Sequence, residues 1–231
     1  MSERNTQTGA PAQRLRRHAR PLAAGAMLLT LAATAAAGYL SGQRHATPAD
    51  TFAAVQAGHL ARLDRSAQPG HVVFLGSSTF QALDTAAITP TALNLSIGGD
   101  TTADLLDRAR SYRSLASATA VWLNIGFNDM MQRCASPRGS LPQVFDLVPA
   151  GTPLFVLAIQ NVSAERLLQR CDGRLSALID TYNGELATAC AARPACQFVP
   201  HPANAHLGGD RHASWIESDG IHLSPTGYAA L

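Results

Sequence analysis

Gly76-Ser77-Ser78-Thr79 follows directly on the apolar run His71-Val72-Val73-Phe74-Leu75, so a serine stands at the tip of what reads as a buried strand. Far along the chain, Asp219-Gly220-Ile221-His222 sets a carboxylate three residues before an imidazole. Residues of these types can carry out acyl transfer. A serine hydroxyl is a weak nucleophile until a base within hydrogen-bond reach takes its proton. An unperturbed imidazole titrates near neutral pH, and a carboxylate behind the ring fixes its tautomer and stabilises the imidazolium. Between the two ends lie Asn94-Leu95-Ser96-Ile97-Gly98-Gly99-Asp100 and Gly126-Phe127-Asn128-Asp129. Each follows an apolar run, and each offers donors for the negative charge that builds on an attacked ester oxygen.

Several of these residues also have plainer roles open to them. Ser77 and Ser78 are both suited to capping a helix, and Ser77 is read as structural. Gly98-Gly99 lacks the Gly-x-Gly-x-x-Gly spacing, and no Gly-Lys-Ser/Thr follows it, which sets nucleotide binding aside. Asp100 and Asp129 are expected to fix loops by accepting backbone hydrogen bonds. His201, His206, Asp210 and His212 form a polar cluster whose irregular spacing suggests a solvated loop instead of a metal site. Trp215 either walls the site or anchors its loop. Phe80 stands where the second glycine of a Gly-x-Ser-x-Gly elbow would be, which argues against the larger α/β-hydrolase fold.

Strands are expected at His71–Gly76, Ala92–Ser96, Ala120–Ile125, Pro153–Ile159 and Gln197–Pro200, because continuous apolar runs of that length suit strands covered on both faces. Helices are expected between them. One spans Pro48 to about Arg65, with Phe52, Val55, His59 and Leu63 on one face. A second spans Thr101–Leu115 on Leu105, Ala109 and Tyr112, and a third Arg174–Ala192 on Leu175, Ile179, Tyr182 and Leu186. Thr101-x-x-Asp104 has the form of a capping box. Ser224-Pro225 reads as an N-cap with proline at the first helical position. Such alternation calls for a parallel sheet with right-handed crossovers, and ligands in such sheets bind beyond the carboxyl ends of the strands. Ser78, Gly99 and Asn128 each fall just after a strand, so the fold should gather them at one edge.

Taken in order, the four segments resemble the signature blocks of the SGNH (GDSL-type) hydrolase family over roughly residues 70–231, with Ser77 where many members carry aspartate. The resemblance implies a three-layer α/β/α flavodoxin-like sandwich with a mostly parallel five-stranded sheet. It implies Ser78 as nucleophile, His222 as base and Asp219 as its orienter. The oxyanion donors would be the Ser78 and Gly99 amides and the Asn128 side chain, with no cofactor and no metal. The expected activity is hydrolysis of carboxylic (acyl or acetyl) esters through an acyl-enzyme, on a small-molecule, lipid or glycan ester. The rival readings are an O-acetyltransferase or deacetylase of envelope carbohydrate, and an inactive binding module.

The 231 residues allow one domain and an appendage. Net charge is +2, its positive part gathered before residue 21, so no basic face argues for nucleic acid. There is no lysine, so every basic residue besides histidine is arginine. Residues 1–20 read as an arginine-rich cytoplasmic tail. Residues 21–40 carry no charge and are long enough, at ~1.5 Å per residue, to span a hydrocarbon core as a signal anchor. Ala35-Ala36-Ala37 before Gly38 equally fits a cleaved signal peptide. Residues 41–67 would be linker and N-terminal helix, and 68–231 the hydrolase domain. Cys134, Cys171, Cys190 and Cys196 all lie in the part expected to be exported, a periplasmic or otherwise extracytoplasmic domain. Cys190 and Cys196 flank Arg193-Pro194, which suits a bridge across a turn and leaves Cys134 with Cys171. The spacing is too loose for an ordinary zinc site.

Overall fold

Short apolar runs become the strands of one sheet in the computed structural model, which describes residues 48–162, 164–206 and 209–231. The strands are β1 (Val72–Gly76), β2 (Ala92–Asn94), β3 (Ala120–Asn124), β4 (Leu154–Leu157) and β5 (Cys196–Val199), each within a residue or two of its expected place. All pair in parallel in the order β2-β1-β3-β4-β5. The order reverses after β2, so the crevice beyond the carboxyl ends of β1 and β3 is the natural place for a ligand.

The helices are α1 (Pro48–Ser66), α2 (Ser78–Gln81), α3 (Thr85–Ile88), α4 (Thr102–Ala109), α5 (Phe127–Arg133), α6 (Leu141–Phe145), α7 (Glu165–Leu168), α8 (Leu175–Ala191), α9 (Asp210–Trp215) and α10 (Pro225–Ala230). Side chains alternate across the pleat. Val73, Leu75, Val121, Leu123, Leu154 and Val156 pack against α1, α4, α6 and α8 in the main core. The opposite face carries Phe74, Trp122 and Phe155 as a stacked aromatic row, with centroids 6.3 and 4.7 Å apart. Phe80 and Leu157 are buried on this second face, with Leu231 packed beside them. A hollow of about 500 Å³ opens there between Phe74, Trp122 and Val199. The helices are thus shared unevenly, with the long ones on one side.

Two helices differ from what their apolar spacing alone suggests. The stripe Phe52, Val55 and Leu63 on α1 faces outward, and Leu60 turns inward with Asp64. Asp64 is buried because its carboxylate accepts the Arg113 and Ser114 amides, both at 2.9 Å, and the Ser114 hydroxyl at 2.7 Å. Those bonds also stop the second expected helix. α4 ends at Ala109, and a separate 3-10 turn, Ser114–Ser117, starts on the Asp64 carboxylate. The capping box forms: Thr101 and Asp104 each bond the other's backbone amide. Ser224 caps α10 by accepting the Gly227 amide at 3.1 Å.

Both disulfides form, Cys190 with Cys196 and Cys134 with Cys171. The expected tail, apolar span and linker through residue 47 lie outside the described residues. Among the described residues no helix is long and apolar enough to cross a membrane.

Candidate active site

β1 delivers its last residue, Gly76, to the carboxyl edge beside Asn124, and the Ser77 amide donates to the Asn124 carbonyl at 3.3 Å. The chain then turns into α2 with Ser78 as first residue. Neither serine is spent as a cap, since the Ser77 side chain makes no capping bond. Ser77 is buried, and Ser78 is half-buried with its backbone at the helix's open end.

The second segment closes over that turn. Gly98 lies so near that a Cβ built on it would stand 3.5 Å from the Ser78 Cβ. Its amide donates to the Gln81 side chain, three residues beyond the serine. Gly99 takes φ +89°, a conformation side chains rarely adopt, and faces open space. Neither the Ser78 nor the Gly99 amide makes a hydrogen bond among the described residues. Both therefore remain able to donate to an oxygen brought between them.

The third segment begins on Gly126 at φ +121°, against the Tyr182 ring; a Cβ here would come within 2.3 Å of that ring. Only glycine fits, so α5 can start flush with the sheet edge. Asn128 donates one amide hydrogen to the Asp100 carbonyl at 2.9 Å, which leaves its other N–H free to serve the same oxygen. Asp129 accepts the Thr102 amide and hydroxyl, both at 2.8 Å, and is buried. Asp100 pairs with Arg108 at 2.7 Å. These two aspartates hold loops, as expected, and burial pushes the Asp100 carboxyl upward against the pull of Arg108.

The closing segment supplies the pair. Asp219 and His222 Nδ1 stand 2.5 Å apart, and the same carboxylate accepts the Ile221 and His222 amides at 2.8 and 3.0 Å. Partial burial alone would raise the Asp219 carboxyl. The His222 amide and ring and the Ile221 amide outweigh it and hold the carboxyl down to about 2. With Nδ1 engaged, Nε2 is the nitrogen left for a proton in transit. Ile221 lines a small pocket together with Ser78, and its carbonyl accepts from Gln160 at 3.1 Å. The Tyr228 hydroxyl, on α10, donates to the Thr79 carbonyl at 3.0 Å. The structure thus brings the serine and histidine segments together, although no hydrogen bond joins Ser78 Oγ to His222.

Three supports escape sequence reasoning. Arg108 reaches the Leu95 carbonyl at 2.5 Å, Tyr112 at 3.0 Å and the Gly76 carbonyl at 3.4 Å, joining the ends of β1 and β2 to Asp100. An arginine on the apolar stripe of Leu105, Ala109 and Tyr112 was the available signal. Asn183 and Asn204 hold Ile159 at the end of β4. Tyr182 backs Gly126. Two members of the polar cluster depart from expectation: His201 is buried, its Nδ1 accepting the Ala203 amide at 3.2 Å, and His206 packs edge-on against Trp215, while the side chains of Asp210 and His212 lie outside what the structure describes. A ring tucked under a 3-10 turn is not a solvated loop. The Trp215 carbonyl accepts the Ser224 amide at 2.7 Å, tying the start of α10 to the end of α9 through the backbone.

Residues 76–230 match the model of the GDSL-like lipase/acylhydrolase family. Among curated proteins, none matches the sequence. Solved structures share the fold. A Streptococcus pneumonia protein provisionally described as a platelet activating factor is 20% identical, with TM-score 0.66 over 87% of this chain and 94% of that one. A GDSL-like lipase from Bacteroides thetaiotaomicron is 18% identical, with TM-score 0.60 over 77% and 93%. A variant of an acetyl xylan esterase from Geobacillus stearothermophilus is 15% identical, with TM-score 0.52 over 70% and 91%.

Proposed function

The chain belongs to the GDSL-like lipase/acylhydrolase family, and from that premise we propose that it is a serine esterase that cleaves carboxylic esters through an acyl-enzyme. Ser78 is the nucleophile, His222 the general base and Asp219 the group that orients the imidazole. The Ser78 and Gly99 amides and the free N–H of Asn128 form the oxyanion hole. The observation that carries this reading is the set of three links between distant segments at one sheet edge, Gln81 to Gly98, Asn128 to Asp100 and Tyr228 to Thr79, beside the Asp219–His222 pair within the closing segment.

In the reaction, His222 takes the proton of Ser78 as Oγ bonds to the ester carbonyl carbon. The carbonyl electron pair moves onto oxygen, where the three donors meet it. Each such donor is worth about 3–4 kcal/mol in comparable sites. The tetrahedral species collapses, the C–O bond to the alcohol breaks, and the imidazolium returns its proton to the leaving alkoxide. Water then repeats the sequence on the acyl-enzyme, which releases the carboxylic acid and restores Ser78.

Two disulfides suit work outside the cytoplasm. The apolar stretch 21–40 behind its arginines would carry the domain there, as an anchor or as a cleaved leader. Ser78→Ala should lower kcat for p-nitrophenyl acetate by about 10⁶-fold, with circular dichroism unchanged. A fluorophosphonate should label the parent and not the variant. Turnover that survives in the variant would remove the serine mechanism.

A further inference from the structure

The pocket that Ser78 itself lines is very small. Its volume is about 20 Å³, and its walls come from the ends of β1, β3 and β4 and from the segment that bears His222. A single water-sized group needs roughly 10–15 Å³ on this measure, so one methyl-sized group fits and a chain does not. Phe127 closes one side, next to Asn128, and Val162 and Ile221 close others. Val162 and Ile159 are fully buried and part of the packed core, so that wall cannot swing aside without opening the interior.

Chemistry points the same way as size. Ser77, Thr79, Asn124 and Gln160 contribute polar surface to the lining. Asn124 is fixed by donating to the Leu157 and Ala158 carbonyls at 3.2 Å each, and Gln160 by its bond to Ile221. An alkyl chain laid against these groups would strip water from them and return no hydrogen bond. The large apolar hollow on the second face of the sheet is a separate space that shares no wall residue with this pocket.

We infer that Phe127, Val162 and Ile221 set an acyl-size limit at Ser78, which makes the enzyme an acetyl esterase with no use for fatty acyl groups. This rests on the serine-esterase reading above and concerns only the acid half of the ester. The acetyl methyl enters the pocket while its carbonyl oxygen turns toward Gly99 and Asn128.

The test is a chain-length profile of kcat/KM on the full-length protein with p-nitrophenyl acetate, butyrate and octanoate, and with Ser78→Ala as control. Acetate should exceed butyrate by at least about tenfold, the scale on which a pocket discriminates single methylenes, and octanoate should be slower still. Phe127→Ala should narrow the acetate-to-butyrate ratio. Val162→Ala, which opens a different wall, should do the same if the first variant folds poorly. Ser78-dependent turnover of octanoate equal to or above that of acetate overturns the size limit and leaves the serine esterase standing. Turnover that does not depend on Ser78 at any chain length overturns both.

Discussion

Asp219 shows what a single carboxylate does in this fold. It accepts two backbone amides and the His222 ring, and sits at about 2 where an ordinary aspartate has 3.8. A carboxyl depressed by folding stabilises the fold fully above its unfolded value, and that stability drains away as pH falls from 3.8 toward about 2. Asp219→Asn should therefore flatten the loss of urea resistance between about pH 5 and pH 2. The same variant should lower kcat by about 10⁴-fold, the scale seen where the orienting aspartate of a triad is neutralised. A variant that keeps the steep acid loss would show that the carboxylate is not held as described. The segments that carry Ser78, Gly99, Asn128, Asp219 and His222 could be picked out ahead because each follows an apolar run or pairs an acid with an imidazole, and the family resemblance implies their proposed roles. Arg108 could not be. Its partners are the backbone carbonyls of Leu95 and Gly76, which carry no mark in a sequence.

At the scale of elements, local rules did well wherever an element is governed by its own residues. The Thr101–Asp104 box and the Ser224-Pro225 start both formed. They failed where a distant group intervenes. Asp64 ends the expected Thr101–Leu115 helix early and turns α1 so that Phe52 and Val55 face out. A charged residue on a helix, read by periodicity, is assigned to water; this one is buried because three donors meet it. α4 acts as the brace of the site, carrying Arg108 under both the serine turn and the Gly99 loop. Arg108→Gln would leave the Asp100 carboxylate buried without its partner, at a cost of about 3 kcal/mol. Urea denaturation should show that loss, with a fall in kcat because Asn128 rests on the Asp100 carbonyl. The double change Asp100→Asn with Arg108→Gln should recover much of the stability. A single variant with an unchanged urea midpoint would deny the brace its importance.

Across the molecule, the strands and their gathering of chemistry at one edge could be read ahead, because parallel alternation leaves few topologies. The uneven helix layers could not, since nothing local reports which face a crossover takes. The disulfides act on different stretches. Cys134–Cys171 spans 37 residues and Cys190–Cys196 only 6. Loop-closure entropy makes the first worth about 4 kcal/mol and the second about 2. Calorimetry on Cys134→Ala/Cys171→Ala and Cys190→Ala/Cys196→Ala should give the larger drop in Tm for the first pair, and the reverse order would contradict the entropic account. Cys134 is also the residue on which α5 ends, the helix whose second position is Asn128. The bond to Cys171 ties the far end of a helix that Gly126, the Asp129–Thr102 bonds and buried Met130 already hold at its start. Reduction would therefore free the C-terminal end of α5 first, while the Asn128–Asp100 and Asp129–Thr102 bonds keep its opening turn in place.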